Sequence, residues 1–209
     1  MVIRKLAGSA LILGAVTALV IGVSAAPAFA STWTVAPGGP FAGNAVTTTT
    51  LTDNGVPTTV SCTNSVVKGA LVSGNVPTGT HLGKIIAASF QNCTVGTTTF
   101  TVTSTHTPWW LNAASYANPI TTGHLVGIHL TLTHAPCSAV VDGTSATADN
   151  GTVKIKYSNS SQTLKVLSAG GNLHIYSVST GCGSLFVSGD TVGYTATYAI
   201  TPHQIIKSP

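Results

Sequence analysis

The chain contains no glutamate, one arginine and one methionine, and only 6% of its 209 residues are charged. Binding to nucleic acid needs clustered lysine and arginine to displace counterions from phosphates, and this composition lacks such clusters. No Cys-x-x-Cys occurs, which argues against a zinc ribbon or a dithiol redox site. A Gly-x-Ser-x-Gly elbow is also missing, and four aspartates are the only carboxylate side chains, so a serine hydrolase triad has little to draw on. Good helix formers do not recur at i, i+3, i+4 beyond the first thirty residues. Threonine, valine, glycine and proline dominate instead, and this composition favours strands.

The N-terminus has Arg4 and Lys5, an uncharged apolar run from Leu6 to Val23, and the small-residue ending Ala28-Phe29-Ala30. That is the tripartite form of a secretory signal, with cleavage expected after Ala30 and no membrane attachment afterwards. The first cysteine is Cys62, so a lipid-modified cysteine at the cleavage point is excluded. Loss of residues 1–30 removes Arg4 and Lys5, leaving six lysines against four aspartates, a net charge of +2. The basic character of the precursor therefore belongs partly to its leader.

Four cysteines in an exported chain are expected to pair. Of three connectivities, Cys62 with Cys93 and Cys137 with Cys182 closes each loop within one half of the chain. Each would contribute about 4 kcal/mol in the chain-entropy account. Residues 31–44, rich in proline and glycine, read as a lead-in segment tied down by Trp33, followed by a β domain over 45–209. Strands are expected at Val46–Thr52, Pro57–Thr63, Lys84–Phe90, Thr97–Thr105, Gly123–His134, Leu173–Val178 and Thr191–Thr201. A hairpin pairs Val153, Ile155 and Tyr157 with Leu164 and Val166, its lysines on the other face. In Gly123–His134, alternation assigns Val126, Ile128, Leu130 and Leu132 to the core.

Residues 45–117 and 120–202 read as distant copies. Cys62 is followed by Val66-Val67-Lys68-Gly69 and Cys137 by Val140-Val141-Asp142-Gly143, and each second cysteine precedes a Thr/aromatic strand. The expected fold is all-β, an antiparallel sandwich or barrel, built as one unit from both halves or as two small domains.

Trp33 to Gly39, Ser89-Phe-Gln-Asn-Cys93, Pro108-Trp-Trp-Leu-Asn-Ala113 and the run from Cys137 to Val153 resemble small secreted proteins of actinomycetes without assigned activity. The resemblance implies export and β structure, and brings no catalytic residues with it.

Among chemistry-bearing residues, seven histidines outnumber the carboxylates. His124 and His134 share a face of one strand but would lie about 33 Å apart at roughly 3.3 Å per residue, so no metal site is expected from them. A histidine site would need residues from different strands, and no metal or other cofactor is expected. Asp142 and Asp149 bracket a Thr/Ser/Ala loop; a paired-carboxylate or calcium site is weighed there against plain turn formation, and the turn is preferred. Lys154, Lys156 and Lys165 are read as guarding an edge strand, with anionic cell-wall polymer as the other reading. The preferred binding contact is Trp109, Trp110 and Tyr116, with one indole in the core and its neighbour exposed. The expected function is a non-enzymatic extracellular module that binds cell-wall glycan or another extracellular protein. A secreted hydrolase with a His/Asp site and a structural coat or matrix protein are the alternatives.

Overall fold

A computed structural model describes residues 32–209; the expected signal peptide, 1–30, lies outside them. In chain order the first eight strands are β1 (Trp33–Ala36), β2 (Gly39–Ala45), β3 (Thr49–Asp53), β4 (Thr58–Leu71), β5 (Gly74–Val76), β6 (Gly83–Val95), β7 (Thr98–Thr103) and β8 (Trp109–Ala117). The others are β9 (Ile120–Ile128), β10 (Leu130–His134), β11 (Cys137–Asp142), β12 (Gly151–Ser158), β13 (Thr163–Leu167), β14 (His174–Tyr176), β15 (Val192–Thr201) and β16 (Ile205–Lys207). One 3₁₀ turn, Thr180–Cys182, is the only helical element among the described residues.

Eight strands close an antiparallel barrel in the order β2-β4-β6-β8-β9-β12-β13-β15, with β15 returning to β2. Closure leaves no free edge within this ring, which resolves the sandwich-or-barrel alternative. The long strands β4, β6 and β15 continue past it. Along that continuation β3 bridges β4 and β15, while β7, β10, β11 and β14 extend from β6. A bridge from His174 to Thr191 brings β14 back beside β15. A small sheet, β16-β1-β5, packs Trp33, Val35 and Ile206 onto the core.

Period-2 alternation explains why these segments sit as they do. Val153, Ile155 and Tyr157 on β12 and Leu164 and Val166 on β13 are buried, while the intervening Lys154, Lys156 and Lys165 are exposed. Each buried aliphatic side chain contributes about 1.5–3 kcal/mol relative to exposure. A chain of interior hydroxyls is paired: Thr49 Oγ1 lies 2.6 Å from Ser65 Oγ, Ser65 donates to the Tyr198 hydroxyl at 3.3 Å, and the Tyr194 and Tyr198 hydroxyls are 2.8 Å apart. Burial, with Tyr198 beside it, pushes the Tyr194 phenol well above its ordinary value. An apolar hollow lined in part by Phe41, Leu82, Leu111 and Ile155 has a free volume of about 40 Å³. At about 10–15 Å³ per water, it is too small for a drug-sized ligand.

The disulfides are Cys62–Cys93 and Cys137–Cys182, the expected pairing. Cys62 and Cys93 sit opposite one another on β4 and β6, and the second bridge ties the start of β11 to the 3₁₀ turn.

Several expectations change. The lead-in supplies β1 and most of β2, where Pro40 and Gly43 take part in the pairing with β4. The segment 109–117, which is not among the expected strands, is the barrel strand β8. Lys154, Lys156 and Lys165 guard no edge, since β12 pairs with β9 and β13, and β13 with β15. On β9 the core residue is Leu125 rather than Val126: Gly127 (φ +91°) is a bulge that resets the alternation before Ile128. Both halves belong to one ring, as two contiguous arcs of four strands: β2-β4-β6-β8 and then β9-β12-β13-β15, joined at β8–β9 and β15–β2. The proposed correspondence of second cysteines joins unlike elements, Cys93 in a strand and Cys182 in a 3₁₀ turn.

Candidate functional site

Three segments meet where β9 gives way to β10. His129 occupies the break between the two strands, the loop 104–108 leads into β8, and the loop 143–150 joins β11 to β12. Asp142, at the end of β11, shapes the last of these. Its Oδ1 accepts from the backbone N–H of Gly143 (2.6 Å) and Asn150 (3.1 Å), and its Oδ2 from that of Asp149 (2.9 Å). The Asn150 side chain cross-braces the loop, accepting from the Thr144 N–H and donating to its hydroxyl. Asp142 is completely buried. Burial pushes its carboxyl pKa up, but hydrogen bonds from three backbone amides and His129 outweigh this and hold it below the usual value.

The folded loop presents Asp149 in the left-handed region, φ +51°. Its Oδ1 lies 2.5 Å from His106 Nδ1 and 3.1 Å from His129 Nδ1, and His129 Nδ1 is also 3.0 Å from Asp142 Oδ2. The two imidazoles stack with centroids 4.2 Å apart and planes at 22°. His129 is buried, whereas the side chains of His106 and Asp149 are 48% and 46% exposed. Trp109 fixes the approach of the loop before β8: its Nε1–H donates to the His106 carbonyl at 3.0 Å. A surface pocket of about 120 Å³ lies beside the cluster, lined by His106, Thr107, Pro108, Gly127 and Asp149. A Cβ on Gly127 would sit 3.3 Å from the Pro108 carbonyl in a conformation L side chains rarely adopt, so glycine keeps this wall open.

The expected contact of Trp109, Trp110 and Tyr116 does not form one surface. Trp109 is fully buried and cannot touch a ligand. Trp110 faces outward beside His81 (ring centroids 4.3 Å apart), with Lys84 Nζ 6.0 Å from its ring. A bulge between Ala113 and Ser115 turns Tyr116 to the face of its buried partner Thr121, where its hydroxyl donates to Asn118 Oδ1. The outer face around Trp110 is continuous in register. Lys84 lies opposite Trp110, Trp110 opposite Val126, Asn112 opposite His124, His124 opposite Lys154, and Lys156 opposite Lys165.

Sequence reading anticipated that histidines would have to come from different strands, but not which ones. His106, His129 and Asp149 are separated by 23 and 20 residues, and only the Asp142/Asp149 bracket marked the place. Compared with family models, curated proteins and solved structures, the chain matches none.

Proposed function

We propose that this is a secreted, disulfide-locked β-barrel that binds an anionic extracellular glycan, such as a cell-wall polymer, on the outer face centred on Trp110. The observation that carries the reading is the charge of that face. Lys84 and His81 flank Trp110, His124, Lys154, Lys156 and Lys165 carry the face on across β9, β12 and β13, and β6, β8, β9, β12 and β13 contain no acidic residue. All four aspartates lie elsewhere: Asp53 is on β3, Asp190 precedes β15, and Asp142 and Asp149 belong to the histidine cluster.

From β6 to β13 is four strand steps, about 19 Å at roughly 4.8 Å each, long enough to lie along several sugar rings. Lysines supply point charges for carboxylate or phosphate groups, and a half-buried indole supplies a flat apolar surface for a sugar face. Because the lysines guard no edge, the main competing account of them is gone. Two disulfides suit an oxidising exterior.

The test is binding to an immobilised anionic polysaccharide, with neutral dextran as control. Binding should weaken at least tenfold in Trp110→Ala and in the double variant Lys154→Gln/Lys156→Gln, and should fall as salt rises from 50 to 500 mM. Equal retention on dextran, or variants that bind like the parent, would exclude this face.

A further inference from the structure

We infer that His106, His129 and Asp149 form a binding site for one divalent transition-metal ion of the zinc and copper class, open to solvent on the side of Gly127. Each residue offers a ligand atom, and those atoms lie within 4.8 Å of one another. Bonds of about 2.0–2.2 Å to a shared ion require that spacing. Asp149 Oδ1 stands 2.5 and 3.1 Å from the two Nδ1 atoms, at hydrogen-bond separations, and an ion with bonds of about 2.0–2.1 Å would need His106 and Asp149 to part by less than about 1 Å.

The donor set selects the metal. Two imidazoles and one carboxylate suit zinc, copper and nickel, whereas calcium and magnesium prefer oxygen donors alone. Three protein ligands with a 120 Å³ pocket beside them leave coordination positions for water or a ligand, the form of an open site rather than a closed structural one.

The surroundings hold the ligands in place without the ion. Asp142 carries three backbone N–H donors besides His129, so it stays satisfied whichever nitrogen of His129 ligates. When His129 ligates through Nε2, Asp142 is the buried carboxylate that accepts its Nδ1–H, a partner metal-binding histidines commonly have. Trp109 holds the His106 carbonyl, and the braced loop fixes Asp149 in its left-handed conformation.

Calorimetric titration of the folded, oxidised, chelator-treated chain with Zn²⁺ tests this. One equivalent should bind, Ca²⁺ should not compete, and His106→Ala and Asp149→Asn should each weaken binding at least tenfold. His203→Ala, which alters an exposed histidine outside the cluster, should leave binding unchanged. Both site variants change half-exposed side chains, and circular dichroism verifies that each folds; if Asp149→Asn does not, His106→Ala decides alone. No saturable uptake, or equal uptake by the parent and the folded site variants, overturns the site.

Discussion

Trp109 and Trp110 are neighbours in sequence and belong to different parts of the molecule. One indole is sealed in the barrel and anchors the His106 loop, and the other lies on the charged outer wall. The inner residue is read by packing and the outer one by solvent. The same contrast holds for the interior, where polar atoms are few and mostly paired, and for the histidine cluster, where titratable groups crowd at a break between strands. Stability is concentrated in the first region and chemistry in the second.

The largest effect that would break this comparison comes from Trp109→Ala. Loss of a fully buried indole should cost about 3–5 kcal/mol, against less than about 1 kcal/mol for Trp110→Ala. Urea unfolding midpoints compare the two directly, and similar losses would mean that both indoles are structural. Next in size, Cys62→Ser with Cys93→Ser should cost about 2–4 kcal/mol. The free-energy difference between this double variant and the parent measures how much the β4–β6 clasp adds to ring closure.

A smaller effect concerns pH. The Tyr157 hydroxyl lies 2.7 Å from Gln162 Oε1 and 2.9 Å from the Gln204 carbonyl, and burial pushes its pKa up to about 12. Tyr194 is shifted the same way by burial and by Tyr198. A phenol whose folded value exceeds its unfolded value of about 10 leaves stability intact below pH 10. The loss then develops as pH rises through the folded value. Thermal melts from pH 8 to 12 should therefore be flat to about pH 10 and fall beyond it, with a smaller fall in Tyr157→Phe.

The hairpin around Lys154, Lys156 and Lys165 was legible because alternation runs unbroken through it, and the disulfide pairing because each bridge closes a loop within one half. Two bulges account for much of what was not. Gly127 shifts Leu125 into the core in place of Val126, and the Ala113/Ser115 irregularity separates Tyr116 from Trp110. Strict period-2 reading cannot locate a bulge unless the backbone signal is recognised, and Gly127 was the only mark. Strand β8 lies outside the expected strands because Pro108, Asn118 and Pro119 bound it, yet it pairs with β9 on both sides of its bulge. The histidine cluster depends on two loops meeting at the β9–β10 break, a placement set by topology and not by local sequence.

The position of β15 has a consequence for assembly. As the last long strand, it fills the gap between β13 and the N-terminal pair β2 and β3. A polypeptide emerging N-terminus first holds its opening strands unsealed until residues near 201 are free, so the barrel cannot close piecemeal. Its contacts are overwhelmingly non-local, which makes folding slow. Closure of the ring, and burial of the strands it seals, therefore waits on delivery of the last long strand.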